Sequence, residues 1–357
     1  MKKLLVISNT SFSIERFRSH YLNQLSSDFK ILVVSPQNKP KNLLTPSYKS
    51  LKTTYLLFEI FKIFKIIRSF KPEKILVYSF KYQLIISLIN IFFKIELICL
   101  IAGKGSLFLN SGYIINLTRS FIVHSIFTLS DKIIFINPSD KTFFCNKYNI
   151  IRKSYLINTE GLKIIKLRKK KISKKNFIFF GRLIREKGIY EYVEVAEVIK
   201  KKYPYLNFYI CGPIKKNEVG QSIMFTKNIK NYLHNNKKFV KYLGFQKDFK
   251  KVFTKMDCLI SPSYSEGAGT SVMEAMMSGL YIIGYKNNGH NLILNKTNNY
   301  VCKKNNIKEI EKGIIFFLNS KKSFIKRNLI VSYKKIKNNY SSQQIYREIR
   351  AIIFKSI

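Results

Sequence analysis

Short apolar runs recur along the chain, each closed by a polar or glycine-containing turn and followed by a longer stretch with helical spacing. Residues 4–8, 30–36, 74–79, 97–101, 131–137 and 155–158 have this strand-like character in the first half, and 176–180, 206–211, 239–244, 258–260 and 281–284 have it in the second. Helical patterns over 14–25, 189–202 and the basic tail from 307 lie between or after them. Buried strands alternating with helices predict βαβ units and parallel sheets, in which ligands bind beyond the carboxyl ends of the strands. The segment 163–175 is dense in lysine and poor in hydrophobes, and reads as a linker. The expected division is therefore an N-terminal Rossmann-like domain (1–165), a C-terminal one (166–335) and a last helix (336–357) packing back on the first.

The stretch from Ser261 to Gly279 carries the densest chemistry. Pro262 stops the preceding strand, because it has no amide proton for a ladder. Gly267 and Gly269 keep the following loop free of side chains, so that a ligand can approach its backbone. Ser271 and Glu274 have the spacing of a capping box, which predicts a helix beginning at Val272 and ending at Gly279. A helix N-terminus attracts phosphate, while carboxylates such as Glu266 and Glu274 accept hydrogen bonds from hydroxyls. Together they point to a ligand carrying both groups, such as a nucleotide sugar. The plainer reading is that Glu274 only caps its helix and Glu266 is solvated. After the strand at 176–180, Arg182 and Lys187 flank a strand-to-helix turn opened by Gly181, where a fork and a flexible ammonium can clamp a diphosphate. In a chain with 64 Lys and Arg a solvated basic turn is the competing reading. Gly212 lies at another strand end and is placed to pass close to a nucleotide.

Composition narrows the classes. A chain of 357 residues with 46% hydrophobic content can build two cores. Lys and Arg outnumber Asp and Glu by 64 to 20, a formal charge of +44 that attracts nucleic acid, anionic lipid or phosphorylated substrates alike. The basic residues are spread over the whole chain with no nucleic-acid module, so no specific nucleic acid is expected. The five cysteines show neither metal-ligand nor redox spacing. Residues 55–71 combine apolar residues at helical spacing with Lys62, Lys65, Arg68 and Lys71, the pattern of a helix lying on an anionic surface and equally of an outer helix in a lysine-rich protein. The run 82–101 contains Lys94 and Glu96, and reads as a buried helix ending near Phe92 followed by a strand, not as a membrane span. Asn9, Arg18 and Lys81 follow strand ends and are candidates for lining a cleft, or surface and turn residues.

The order GRLIREKG, GP, YLGFQKDFKKVF and DCLISPSYSEGAGTSVMEAMMSG resembles the second domain of retaining family 4 glycosyltransferases. FRSHYLNQL, the 78–81 loop, AGKGSLF and FINPSDKTFF are similar to a bacterial branch that transfers N-acetylhexosamines and related sugars onto polyprenyl-diphosphate-linked glycans. The resemblance covers most of residues 1–320. It implies the GT-B architecture, an α/β fold of two Rossmann-like parallel-sheet domains facing across a cleft. It implies that Arg182 and Lys187 neutralise the departing diphosphate, that Glu266 holds hydroxyls of the transferred sugar and Glu274 the ribose. Gly181, Gly212 and the loop Ala268, Gly269, Thr270 and Ser271 would surround the nucleotide sugar. No tightly bound cofactor or metal is expected beyond a UDP-sugar donor. The implied acceptor is a polyprenyl-diphosphate-linked glycan of O-antigen or capsule assembly, reached from the cytoplasmic face of the inner membrane through peripheral contact with its anionic surface. The alternative is a basic nucleic-acid- or lipid-binding protein without transferase activity. Leu280, Lys163, Leu292 and Lys104 stand where the family commonly has proline, aspartate, an acidic residue and a Thr-Gly-Leu-Gly loop, respectively.

Overall fold

The structure, a computed structural model, describes every residue except 54, 104–112, 168–170, 215–222, 247, 268 and 356–357, with the side chains of 113–116 and 223–227 also left aside. Lys104 and Ala268 thus lie outside the described residues. The chain divides into two compact units, Met1–Lys163 with Tyr340–Ile357, and Ile164–Asn339.

The first unit is built on β1 (Lys2–Ile7), β2 (Phe29–Ser35), β3 (Ser47–Ser50), β4 (Lys74–Tyr78), β5 (Glu96–Ile101), β6 (Lys132–Phe135) and β7 (Ser154–Leu156). They form one parallel sheet in the order β3-β2-β1-β4-β5-β6-β7. The apolar runs are buried because helices cover the sheet, the arrangement that parallel strands require. Leu5, Ile7, Val77, Cys99 and Ile133 share a core with Ile63, Ile66 and Ile67 of the Leu56–Phe70 helix, Ile86 of Phe80–Phe93, and Val123 and Ile126 of Tyr113–Thr128. The Pro138–Tyr148 helix opens on a formed cap, with Asn137 accepting from the Asp140 amide and Pro138 at its first position.

The helix expected over 14–25 is composite. A short turn Ser11–Ser13 leads into a π-helical turn Ile14–Arg18 and then the α-helix Ser19–Leu25. The wide turn carries Arg18 inward, not to the surface. Arg18 is 5% exposed, donates to Glu160 Oε1 through Nε (3.1 Å) and Nη2 (2.6 Å), and donates through Nη1 to Ser8 Oγ and Ser13 Oγ. Its guanidinium lies 3.9 Å from the centre of the Tyr78 ring, whose hydroxyl meets that of Tyr21 at 2.5 Å. Burial alone would lower the Arg18 pKa, but Glu160 reverses this and the net direction is upward. Lys81 is likewise engaged, in a 2.6 Å ion pair with Glu59. Asn9 stays exposed.

The second unit contains β8 (Asn176–Phe180), β9 (Asn207–Cys211), β10 (Val240–Tyr242), β11 (Cys258–Ser261), β12 (Tyr281–Gly284) and the short β13 (Tyr300–Val301). Its parallel order is β10-β9-β8-β11-β12-β13. The Lys322–Asn339 helix stays with this unit, so the return to the first begins at Tyr340, a little beyond the expected 336. There Leu162 and Ser341 form a parallel bridge, and the Ser342–Phe354 helix lies beside Ser19–Leu25. Arg350 grips Asp28 with two 2.8 Å bonds. No described helix is long and apolar enough to cross a membrane.

The Arg18–Glu160 pair is the buried charge pair whose loss is easiest to read. Arg18→Ala, which strands the Glu160 carboxylate, is expected to cost about 3–5 kcal/mol. The double replacement Arg18→Met with Glu160→Leu is expected to recover most of that. Urea unfolding midpoints of the wild type and both variants measure it.

Candidate functional site

In the second unit the strand order reverses at β8, which has β9 on one side and β11 on the other. Such a reversal is where an open parallel sheet forms a crevice beyond its strand ends. Three segments leave neighbouring strands here: Gly181–Gly188 after β8, Pro262–Gly269 after β11, and Tyr285–His290 after β12.

The first two segments are stitched together by backbone. Arg185–Lys187 form a single 3-10 turn ended by Gly188 in the left-handed region at φ +74°. A Cβ at 188 would stand 2.2 Å from the Pro262 carbonyl oxygen, so only glycine allows the approach. The Glu186 carbonyl accepts from the Tyr264 amide (3.0 Å) and from Ser263 Oγ (3.3 Å). The result places Lys187 Nζ 2.7 Å from Glu266 Oε1, with both side chains half-buried. Two residues 79 positions apart thus meet at the reversal point, one from each expected chemical pair. Arg182 is on the exposed side of the same turn. Gly181 and Gly212 are adjacent: the Gly181 amide donates to Cys211, and a Cβ at 212 would meet the Gly181 carbonyl oxygen at 1.7 Å.

The expected capping box is not formed. The helix runs Thr270–Met277 and its N-cap is Gly269, at φ +49°, with no side-chain cap. The Gly269 carbonyl accepts from the Val272 and Met273 amides, which starts the helix two residues early and puts Ser271 inside it. Thr270 and Ser271 then present amides with no acceptor inside the helix, next to the positive end of its dipole. Glu274 moves from the first turn to the second and is buried at 3% exposure. The far end matches expectation: the Gly279 and Leu280 amides close on the Met276 and Ala275 carbonyls as a Schellman turn. Leu280, in the place of the usual proline, is buried.

The third segment holds the residue most clearly missed. A helix begins at Asn288, capped by Asn287, whose side chain accepts from the His290 amide (2.8 Å). Asn287 also donates to the Ser263 carbonyl (2.7 Å), which ties this segment to the glutamate loop. His290 is fully buried; its Nδ1 donates to the Tyr285 carbonyl (2.7 Å), leaving Nε2 to accept from Ser261 Oγ (3.2 Å). Burial holds its pKa below the usual value, against the opposing pull of Glu266. The spacing Asn287-x-x-His290 is a capping signal that polarity alone disguised. Tyr264 was also unassigned. It donates to Glu191 (2.5 Å), and that bond followed by burial pushes its pKa up to about 12. Among the described residues no His, Cys, Asp and Glu cluster could hold a metal ion.

Two Rossmann-like parallel-sheet units, the second with a basic turn and a glycine-led helix N-terminus at its reversal point, define the GT-B architecture. Residues 163–337 match the family of glycosyl transferases group 1. The N,N'-diacetylbacillosaminyl-diphospho-undecaprenol alpha-1,3-N-acetylgalactosaminyltransferase of Campylobacter jejuni is 29% identical over 203 residues, covering 52% of this chain and 50% of that protein. An uncharacterized glycosyltransferase of Haemophilus influenzae is 24% identical, covering 63% of this chain and 62% of its own length. The chain therefore spans about half to three-fifths of the length of these curated relatives. In fold it is similar to Anabaena Alr3699/HepE in complex with UDP and glucose, with a TM-score of 0.80, 14% identity and 99% of each chain covered. The chain is thus related to bacterial glycosyltransferases of the GT-B fold.

Two outcomes test this geometry. Gly188→Ala, which adds both a left-handed strain and a clash with Pro262, is expected to lose roughly 2–3 kcal/mol in chemical denaturation. For His290 the folded pKa is depressed, so on acidification the unfolded state takes up its proton first, near 6.5. Its contribution is complete above that pH and is lost as pH falls toward the lower folded value. Unfolding midpoints measured from pH 7.5 to 5.5 should therefore fall less steeply in His290→Gln than in the wild type.

Proposed function

We propose that the chain is a retaining glycosyltransferase of the family 4 type. It moves a hexose or N-acetylhexosamine from a UDP-sugar to a polyprenyl-diphosphate-linked saccharide in surface polysaccharide assembly. The observation that carries this is the 2.7 Å contact of Lys187 with Glu266 at the reversal point of the second sheet. It brings a diphosphate-binding cation and a hydroxyl-binding carboxylate to one place, as a sugar diphosphate requires. The match of residues 163–337 and the names of the relatives support the same chemistry.

In this reading the diphosphate lies against the Thr270 and Ser271 amides and between Arg182 and Lys187. Gly181, Gly212 and Gly269 allow the backbone to approach it. Glu266 accepts hydrogen bonds from hydroxyls of the transferred sugar, and Glu274 from the ribose. The bond from the anomeric carbon to the diphosphate oxygen breaks, and the charge that develops is met by fixed cations and amides. The acceptor hydroxyl attacks on the face just vacated and gives its proton to the departing diphosphate, so no protein nucleophile is needed. His290, neutral and bonded at both nitrogens, holds the Ser261 and Tyr285 ends of the adjoining strands in register. An acceptor anchored by polyprenyl diphosphate is anionic and membrane-bound, and a basic chain meets it faster at the cytoplasmic face of the inner membrane.

The test is a panel of UDP-, GDP- and dTDP-sugars with membrane extract as acceptor source. One UDP-sugar consumed only with extract is the expected result. Glu266→Gln and Arg182→Ala should each lower turnover about 100-fold or more. Consumption of no donor would reject the transferase reading.

A further inference from the structure

Among the described residues, the first unit exposes an apolar face. The helices Leu56–Phe70, Phe80–Phe93 and Tyr113–Thr128 all send residues into the same core, so their outer surfaces face the same way. An outer helix of an α/β unit normally turns charged and polar residues outward. Here Leu57, Phe58 and Phe61 are exposed on the first helix, Ile91 and Phe92 on the second, and Phe121 on the third, with Leu57 at 78% and Phe92 at 80%. Between Lys81 and Lys94 the exposed positions of the second helix are all apolar. The expectation of a buried helix ending near Phe92 holds for its end but not for this outer side. With 14 residues, the helix is too short for the roughly 20 that a span needs.

Charge identifies the occupant. Lys62, Lys65 and Arg68 are exposed on the first helix, and the exposed Lys71 and Lys94 close the first and the second. Lys65 Nζ sits 4.4 Å from the centre of the exposed Phe61 ring, so a cation and an apolar side chain stand side by side on this surface. We infer that this three-helix face is a docking surface for an anionic bilayer. Phe92, Ile91 and Phe121 enter the acyl boundary, and the lysines and arginine meet the headgroups. This extends the contact beyond residues 55–71 to two further helices. It deepens the reading of a membrane-bound acceptor and rests on it for its purpose.

The full chain should co-sediment with vesicles of phosphatidylglycerol and phosphatidylcholine, and weakly with phosphatidylcholine alone. A variant carrying Ile91→Ser, Phe92→Ser and Phe121→Ser should bind the anionic vesicles about tenfold or more weakly, with an unchanged melting temperature. Replacing Lys62, Lys65, Arg68 and Lys71 by Gln should weaken binding comparably and reduce its salt dependence. Sedimentation undiminished in either variant overturns the surface. So does a wild-type chain that ignores vesicles but self-associates through these residues. Donor consumption is read separately: its absence rejects the transferase reading, while sedimentation alone decides the surface.

Discussion

The contact between Gly188 and the Pro262 backbone is the constraint on which the second unit's chemistry depends. Strands β8 and β11 pair directly, so the segments that leave them start side by side. Whether those segments converge or splay is then set by the closest atoms between them. A missing Cβ at 188 lets a carbonyl pass at a distance that no other residue permits. Lys187, Glu186 and Tyr264 all take their positions from that approach. The cation and the carboxylate are therefore brought within 2.7 Å of each other by backbone geometry, and their own attraction acts on a placement already made.

Much of the fold was legible because buried parallel strands are apolar on both faces. The expected strands at 4–8, 97–101, 176–180 and 281–284 correspond to β1, β5, β8 and β12 within two residues at each end. β3 and β13 were not anticipated. β3 is mostly exposed and polar, and β13 has only two residues, so neither carries an apolar run. The helix over 189–202 was plain from its period, whereas the π-turn at 14–18 was not. Its sequence has the same spacing of apolar residues as an ordinary helix, and only the inward Arg18 distinguishes it.

The candidate site was legible as residue types and less so as geometry. Strand ends followed by glycine drew attention to the turn at 181–188 and the loop at 261–269. The capping error at Ser271 arose because a serine three residues before a glutamate is a sound signal only where no glycine in the left-handed region starts the helix first. His290 was passed over because its side chain joins the nearby Tyr285 carbonyl to the distant Ser261 hydroxyl, and the Asn287-x-x-His290 spacing announces only a helix start, not that junction.

The first unit is discontinuous in the chain, and that bears on how it is made. Ser342–Phe354 covers the side of the sheet where Phe29 lies, and the Phe29 and Phe354 rings stand 5.1 Å apart. During synthesis the strands of the first unit emerge early, but this part of their core stays open to water until residue 354 has left the ribosome. The second unit, a single uninterrupted segment, has all its residues available before then. The nascent chain therefore passes through a stage in which a finished domain is carried on an unfinished one, with an apolar sheet face available to chaperones or to another chain.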